Sequence, residues 1–563
     1  MSTLLEQASL VLIPSGYKED TVYSVIPSNG SGDLSFTRAS DGTRINSDGL
    51  VEVTPWNIFG YSEEFNNAYW TKVNTTPTAN TTTAPNGTLT ADTLVSTGGV
   101  NSFLYKILSF TSGAVYTLSF YVKANSAQTI RIYGGGGGIG TSANLNVTTE
   151  WTRISYTFTP SASGSFDVGI RTNSSNVDFN IFLWGAQLND GSTAKPYFPT
   201  TDRLNVPRLT YQNGGGGCPS LLLEPQRTNL ALYSEQFDNA YWPKLNSTIT
   251  ANSLTSPDGT VTADKLIADA TTNLHRINIS VFTGVALTSN TLSIFAKKGE
   301  YNFFYFRESI SGTTVETFFD LNNGTITSIG AGRTATITSF GNGWYKCSVT
   351  ATSVTMNFGI GFGVAQTDGV SSFLGNGTSG IYLWGAQLEA GAYASSYIPT
   401  TSASATRIAD ACSKTGISSL IGQTEGVLFA EFIPSKTTDV VNLSANGVFQ
   451  TDLNISYDAN NKRIGINFYV NPTYIIAYFS ANNSALLNTK IKVAVAYKSG
   501  DLAIYINGVQ TNTSTTTYTI VSPLTRIRFN QNNFTGSDSI LYNQVIIFPN
   551  RLTNSELVTL TTI

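Results

Sequence analysis

The chain has 563 residues, a formal net charge of −4 and only 12% charged residues, about half the roughly 25% of ordinary soluble domains. Its Lys and Arg do not cluster, and no apolar run reaches the roughly 18 residues of a membrane helix, so we expect neither nucleic-acid binding nor membrane insertion. Abundant Tyr, Phe, Thr, Ser, Asn and Gly favour an extracellular or particle-bound β protein, and the length predicts about three or four domains.

Residues 1–56 form a short, turn-rich segment that ends at Pro55-Trp56. Its strand-like pieces, 9–13 and 21–26, look too small to bury a core by themselves, and such a segment gains stability by docking on another surface. We expect it either to attach the protein to a partner or to pack on the module that follows. The start has no signal-peptide pattern, so release by cell lysis is the expected route outward.

Five stretches of this segment and of the middle junction carry a recognisable pattern: the run 8–18, the strand and turn at 36–45, the turn at 47–51, and the junction stretches 207–211 and 218–229. They resemble the corresponding stretches of phage structural proteins. The resemblance implies a virion protein with lectin-like repeats. In such a particle the partner of the N-terminal segment would be a capsid or tail protein.

An internal repeat dominates the middle of the chain. The sequence Tyr-Ser-Glu-Glu-Phe-Asn-Asn-Ala-Tyr-Trp at 61–70 recurs with two changes at 233–242, and Leu-Trp-Gly-Ala-Gln-Leu at 183–188 recurs unchanged at 383–388. The offset between the copies grows from 172 to 200 residues, so the second copy carries about 28 inserted residues. Two homologous modules are therefore expected.

Short runs of alternating apolar and polar residues fill each copy, for example 116–122 and 152–158. Alternation with period two places one face of a strand on a core and the other in water. Many short strands between Gly, Asn, Ser and Pro clusters indicate a β-sandwich or jelly roll. The predicted fold class is therefore all-β.

The C-terminal part has β character with a different pattern. A strand at 426–433 precedes strands at 492–497 and 501–506, an Asn507-Gly508 turn favours a hairpin, and a strand at 541–548 runs into one helical turn. This order resembles the laminin-G-like, concanavalin A-like sandwich family. The resemblance implies a sandwich fold. Because this part looks complete whereas the N-terminal segment does not, we expect it to face outward.

These patterns divide the chain into six predicted units. They are an attachment segment (1–56), jelly-roll module 1 (57–200), a connector (201–228), jelly-roll module 2 (229–400), a linker (401–423) and a concanavalin A-like domain (424–563).

Residues for catalysis are scarce. His275 is the single histidine and lies outside any nucleophile-elbow context. Glycan hydrolysis needs two facing carboxylates, and the comparable strand offers only Glu425 and Glu431, separated by an apolar stretch. The glycine run 134–138 lacks the Lys-Ser/Thr of a phosphate loop. We therefore expect a protein that is not an enzyme.

No cofactor is expected, with structural calcium as the one possibility. Carbohydrate-binding sandwich modules often hold Ca²⁺ through carboxylate and carbonyl oxygens. Asp92 and Asp264 occupy matching positions in the two copies, and Glu389 follows the repeated Gly-Ala-Gln-Leu strand where the first copy has Asn189. The alternative is that these carboxylates accept hydrogen bonds from nearby backbone amides.

Sugar binding uses aromatic rings that stack on pyranose faces, beside amides and carboxylates that bind hydroxyls. The candidates are the paired Tyr69-Trp70 and Tyr241-Trp242. The alternative is that aromatic residues at equal positions in two repeats belong to the sandwich cores. The sequence leaves both interpretations open.

Together these features predict a non-enzymatic virion fibre or decoration protein that displays lectin-like domains toward host-surface or mucus glycans. Many copies on a capsid would favour a head fibre, and a homotrimer, or else a dimer, is the expected assembly. The alternatives are a tail-spike polysaccharide depolymerase, a tail fibre receptor-binding protein and a bacterial surface adhesin.

Overall fold

The computed structural model places 51% of the chain in strands and 3% in helices, which confirms the prediction of an all-β fold. No helix within the described part is long and apolar enough to cross a membrane. The described residues are 2–283, 288–353, 357–434, 438–445, 451–483, 486, 488–529 and 539–563.

The first segment consists of one helical turn and six short strands. They are α1 (Ser2–Leu5), β1 (Leu10–Leu12), β2 (Tyr17–Lys18), β3 (Thr21–Val22), β4 (Leu34–Thr37), β5 (Gly42–Ile45) and β6 (Val51–Thr54). Strands β5 and β6 pair with each other as a separate hairpin.

Module 1 is a sandwich of two five-stranded antiparallel sheets, in the orders β13-β12-β15-β10-β7 and β14-β11-β16-β9-β8. Its strands are β7 (Thr71–Val73), β8 (Thr75–Thr82), β9 (Ala91–Ser96), β10 (Phe103–Phe110), β11 (Tyr116–Lys123), β12 (Gln128–Gly135), β13 (Leu145–Val147), β14 (Thr152–Phe158), β15 (Gly164–Thr172) and β16 (Asn180–Asp190), with a 3₁₀ turn at Gly99–Asn101.

Module 2 repeats this strand order with one extra edge strand on each sheet, β28 (Thr325–Ser328) and β29 (Thr334–Ser339), which lie within the insertion. The connector strands are β17 (Leu209–Thr210), β18 (Ser220–Leu223) and β19 (Arg227–Asn229). The module strands are β20 (Lys244–Leu245), β21 (Ser247–Leu254), β22 (Ala263–Ala268), β23 (Thr272–Leu274), β24 (Arg276–Thr283), β25 (Ser289–Lys298), β26 (Phe303–Glu308), β27 (Val315–Asp320), β28 (Thr325–Ser328), β29 (Thr334–Ser339), β30 (Trp344–Thr352), β31 (Asn357–Ala365), β32 (Ser372–Leu374) and β33 (Gly380–Ala390).

The C-terminal sandwich has one eight-stranded and one nine-stranded sheet around the largest hydrophobic core. Its own elements are β35 (Ala411–Thr415), a 3₁₀ turn at Ser418–Leu420, β36 (Glu425–Pro434), β37 (Thr438–Ser444), β38 (Thr451–Asp458), β39 (Arg463–Val470), β40 (Thr473–Phe479), β41 (Ile491–Lys498), β42 (Leu502–Ile506), β43 (Val509–Ser514), β44 (Arg526–Phe529), β45 (Ile540–Phe548) and α2 (Asn554–Thr561), while β34 (Ala405–Arg407) pairs with β19.

This sandwich also takes strands from far earlier in the chain. Strand β1 pairs with β45, β4 pairs with β35, and β18 pairs with the other half of β45. Leu10, Leu12 and Phe36 are buried in its core. The N-terminal segment, expected to complete its core on a partner or on module 1, thus completes it within the C-terminal sandwich. Modules 1 and 2 are insertions between strands of that sandwich.

A buried ionic network joins the four passages between the sandwich and the two modules. Arg38, Arg208 and Arg407 surround the carboxylates of Glu224 and Asp410, and all five side chains are essentially inaccessible to solvent. Arg38 Nη1 lies 2.9 Å from Asp410 Oδ1, Arg208 Nη1 2.6 Å from Glu224 Oε2, and Arg407 Nη1 3.1 Å from the same oxygen. Although burial alone would raise it, Arg407 and Arg208 hold the pKa of Glu224 well below its usual range.

Candidate functional site

The two tryptophans proposed as sugar platforms lie in the module cores. Trp70 is 2% exposed and Trp242 is fully buried. Each indole Nε1 donates to a main-chain carbonyl nine residues earlier, Tyr61 and Tyr233, at 3.0 Å. Neither indole offers a face to a ligand, which corrects the expectation for these two residues.

Their tyrosine neighbours are half-buried. The Tyr69 ring is covered by the Lys106 ammonium, 4.1 Å from the ring centroid, and its hydroxyl accepts a hydrogen bond from Gly60 N at 3.0 Å. Tyr241 packs edge-on against Trp242 with ring centroids 5.1 Å apart. Both rings therefore extend the core packing of the repeated motif.

Asp92 and Asp264 are buried acceptors for backbone amides. Asp92 accepts from the N–H groups of Phe65 at 3.0 Å and Asn80 at 2.9 Å. Asp264 makes the equivalent pair of bonds at 2.8 and 2.9 Å, and burial raises its pKa to about 6. The two carboxylates fasten the repeated motif to the neighbouring strand hairpin in each module.

Glu389, the third residue considered for calcium, is also engaged by donors. Its Oε1 accepts from Gln387 Nε2 at 2.7 Å and from Ser395 N at 2.8 Å, and its Oε2 accepts from Ser395 Oγ at 2.7 Å. Within the described ranges, no group of three or more His, Cys, Asp or Glu is arranged to hold a metal. These hydrogen bonds match the alternative interpretation, in which the three carboxylates accept from donors close to them.

A different aromatic set lies on the outer surface of one sheet in module 1, named here the outer face. It consists of Tyr121, Trp151, Trp184 and Tyr197, which form a cluster separate from the sandwich core. The Trp184 ring lies 4.7 Å from Tyr197 and 5.3 Å from Tyr121. Sequence reasoning missed this set, although Trp184 belongs to the repeated Leu-Trp-Gly-Ala-Gln-Leu motif.

Trp184 is followed by a β-bulge. The register between β11 and β16 shifts between Ser119 and Tyr121, and Gly185 adopts a left-handed φ of 64° at this point. An added Cβ on Gly185 would lie 3.0 Å from the Tyr121 ring. Strand alternation places Leu183 in the core and Trp184 on the outer face, and the extra residue of the bulge returns Ala186 and Leu188 to the core.

Module 2 has the same set, but a hairpin covers it. The equivalent residues Phe295, Trp344, Trp384 and Tyr397 are all less than 5% exposed. The β5–β6 hairpin packs Ile45 and Val51 against them. Two hydrogen bonds to main-chain carbonyls hold the hairpin in place: Val51 N donates to Pro257 O at 2.9 Å, and the Thr43 hydroxyl donates to Tyr397 O at 2.5 Å.

The outer face of module 1 has no such cover among the described residues. Trp184 is buried by its neighbours, whereas Tyr121, Trp151 and Tyr197 remain half-buried. These three residues therefore keep part of their surface in contact with water.

Polar groups border these rings. The Arg153 guanidinium lies 5.3 Å from the Tyr121 ring. Tyr197 donates its hydroxyl to Glu63 Oε1 at 3.0 Å, and burial raises the pKa of Glu63. Glu63 and Thr90 also line a cleft of about 660 Å³ between module 1 and the β2–β3 turn. The outer face thus combines apolar rings with charged and hydroxyl groups.

No family model matches the chain, and no curated protein matches it in sequence. Solved structures with local likeness include the CBM40 module of the Ruminococcus gnavus IT-sialidase bound to α2,3-sialyllactose, at 10% identity and a TM-score of 0.21, covering 25% of this chain and 84% of that one. The botulinum neurotoxin serotype G binding domain is 16% identical with a TM-score of 0.23, over 27% of this chain and 39% of that one.

Domain 4 of AbnA, a GH43 extracellular arabinanase from Geobacillus stearothermophilus in complex with arabinotriose, is 14% identical with a TM-score of 0.23, over 30% of this chain and 81% of that domain. Each likeness covers less than a third of the chain. TM-scores of this size carry no statement about what the chain binds.

Proposed function

We propose that the protein is a non-enzymatic, carbohydrate-binding subunit that uses the outer face of module 1. The observation that carries the proposal is the contrast between two equivalent surfaces of one chain. The aromatic set of module 2 is covered by Ile45 and Val51 together with Leu254 and Phe340, whereas Tyr121, Trp151 and Tyr197 of module 1 are only half-buried. Partly exposed rings at one fixed position suit stacking on the apolar face of a pyranose.

The polar groups around the rings suit hydroxyl recognition. Glu63 is a hydrogen-bond acceptor, and the Tyr197 hydroxyl, which donates to its Oε1, fixes its position. Arg153 Nη2 donates to Ser119 Oγ at 3.0 Å, while its buried Nε has no hydrogen-bond partner among the described residues. A pyranose with adjacent hydroxyls offers both an acceptor and donors to such a site.

The surroundings of Glu425, Glu431 and His275, the residues considered for catalysis, support a role without catalysis. Glu431 lies 2.9 Å from Lys490 Nζ, and Glu425 lies 3.1 Å from Lys498 Nζ, so each carboxylate faces a cation rather than a second acid. His275 is fully buried, and its two ring nitrogens contact the carbonyls of Asn246 and Phe373.

The assembly that we propose is a virion fibre or decoration protein, with a head fibre favoured, exposed on the particle surface. Weak single sites gain about 10²–10⁴ in effective affinity when many copies act together, and a homotrimer would already supply three sites. Attachment to capsid or tail proteins would use exposed residues of 1–56, since its buried strands belong to the C-terminal sandwich. Host-surface or mucus glycans are the proposed ligands.

The test is a glycan array probed with the full-length protein, followed by calorimetry on the glycans that bind. Trp151→Ala should weaken binding at least ten-fold while the thermal unfolding of the protein changes little. The matched control is Tyr474→Ala, which removes a 63% exposed ring from the C-terminal sandwich and should leave binding unchanged. Equal binding by the wild type and Trp151→Ala would overturn the proposed site.

A further inference from the structure

A second cleft, of about 910 Å³, opens at one end of module 1. Strands of both sheets contribute to its wall, including β9, β12, β13 and β16. Its size lies within the range of about 300–1,000 Å³ that small-molecule sites occupy. It does not share a lining residue with the outer face or with the cleft beside Glu63.

The wall is built almost entirely of amides, hydroxyls and short apolar side chains. The side-chain amides of Asn146 and Asn180 and the hydroxyl of Ser126 make no hydrogen bond to any residue that the structure describes. Asp178 is the one ionisable residue of the lining, and its Oδ1 already accepts from Ser96 Oγ at 2.9 Å. Free donors and acceptors without net positive charge suit a polyhydroxylated, uncharged ligand.

Module 2 shows that the fold does not require this cleft. Tyr301 stands in the β25–β26 loop where module 1 has Ala127, and its ring lies 5.1 Å from the Phe373 ring. Phe373, on the additional β23–β32 pair, is 4% exposed and lies 4.6 Å from the His275 ring. Aromatic packing thus fills in module 2 the space that module 1 leaves open.

We infer that this end cleft of module 1 is a second carbohydrate site, selective for neutral oligosaccharides. An acidic sugar would bring its carboxylate near Asp178 with no cation in the lining to balance it. A neutral sugar meets the amides of Asn146 and Asn180, which can each engage two adjacent hydroxyls. The inference is independent of the outer face, since the two sites share no residue.

The experiment uses saturation-transfer NMR on the full-length protein with maltotriose, cellotriose and xylotriose. At least one trisaccharide should bind, and Ala127→Tyr, which copies the module 2 residue, should weaken that binding at least five-fold. Ala127→Ser is the matched control and should bind as the wild type does. Because Ala127 is exposed, both variants should fold, and thermal unfolding checks this. The Asn146→Ala/Asn180→Ala double variant tests the same site without adding bulk and should also weaken binding.

Two results would overturn the inference. One is that none of the three trisaccharides binds. The other is that Trp151→Ala abolishes their binding while Ala127→Tyr leaves it intact, which would place them on the outer face and leave the proposed function standing. Conversely, binding that is lost in Ala127→Tyr and kept in Trp151→Ala supports the second site even if the outer face binds no glycan.

Discussion

Trp151 and Trp344 occupy equivalent positions in the two modules, and their indole Nε1 groups donate to the carbonyls of the equivalent Thr83 and Thr255 at 3.0 and 3.1 Å. Trp344 is nevertheless 2% exposed, whereas Trp151 is only half-buried. In module 2 the β5–β6 hairpin and two side chains of the module itself, Leu254 and Phe340, pack on the aromatic set. The same position of the module fold therefore carries a core tryptophan in module 2, Trp344, and a partly solvent-exposed tryptophan in module 1, Trp151.

This contrast predicts different stability effects for the same substitution. Trp344→Ala removes a ring enclosed on all sides and should lower the free energy of unfolding of module 2 by about 3–5 kcal/mol. Trp151→Ala removes a half-buried ring and should lower the free energy of unfolding of module 1 by clearly less than Trp344→Ala lowers that of module 2. Amide hydrogen exchange resolved by module would measure both, and equal losses would contradict the assignment of Trp151 to an open face.

The ionic network at the module junctions predicts a large penalty when one partner is removed. Arg208→Met leaves Glu224 and Asp410 buried with less compensation, and breaking a buried pair in this way costs about 3–5 kcal/mol. Lys498→Ala, which breaks the exposed pair with Glu425, should cost less than about 1 kcal/mol. Urea unfolding of the two variants compares them, and a small effect of Arg208→Met would show that the network is dispensable.

Module 2 should lose stability as the pH rises from about 5 to 8. Burial, with a contribution from Asp258, raises the pKa of Glu235 from 4.5 to about 8. Between these values the folded state keeps a proton that the unfolded chain has released, so the unfolded state binds fewer protons and stability falls with increasing pH. Glu235→Gln should flatten this dependence.

Hydrogen exchange of module 2 amides at pH 5, 6.5 and 8 measures the pH effect. The control is Glu150→Gln, an exposed position in module 1, which should keep the wild-type profile. A Glu235→Gln profile that still falls with pH would assign the dependence to other groups.

The sequence predicted the all-β class and the repeat because period-two alternation and repeated motifs are local signals. It could not predict which residues share a sheet over long separations. Leu10–Leu12 pairs with residues more than 500 positions away, and no local pattern records that partner. The N-terminal segment therefore looked incomplete although its core partners lie in the same chain.

The candidate sites show the same limit. Tyr69-Trp70 stood out because it recurs, yet recurrence reflects the shared core of the two modules. The half-buried state of Tyr121 and Trp151 depends on the absence of a covering hairpin among the described residues. The cover of the equivalent set in module 2 comes from a distant segment, 45–51, which no local pattern records.

The pairing of the N-terminal strands with the C-terminal sandwich predicts that the first strands are needed for its stability. Phe36 is fully buried and lies opposite Cys412 in the β4–β35 ladder. Phe36→Ala should lower the stability of the C-terminal sandwich by about 3–5 kcal/mol, and deletion of residues 1–37 should expose its core to the dye ANS.

Attachment to a particle is therefore better tested by charge reversal at exposed positions, such as Glu6→Lys and Lys18→Glu, which leave the core intact. Loss of the charge-reversed protein from purified particles, with unchanged hydrogen exchange at β45, would support attachment through this segment. Normal incorporation would place the attachment surface elsewhere, whereas wild-type stability of Phe36→Ala would contradict the shared core itself.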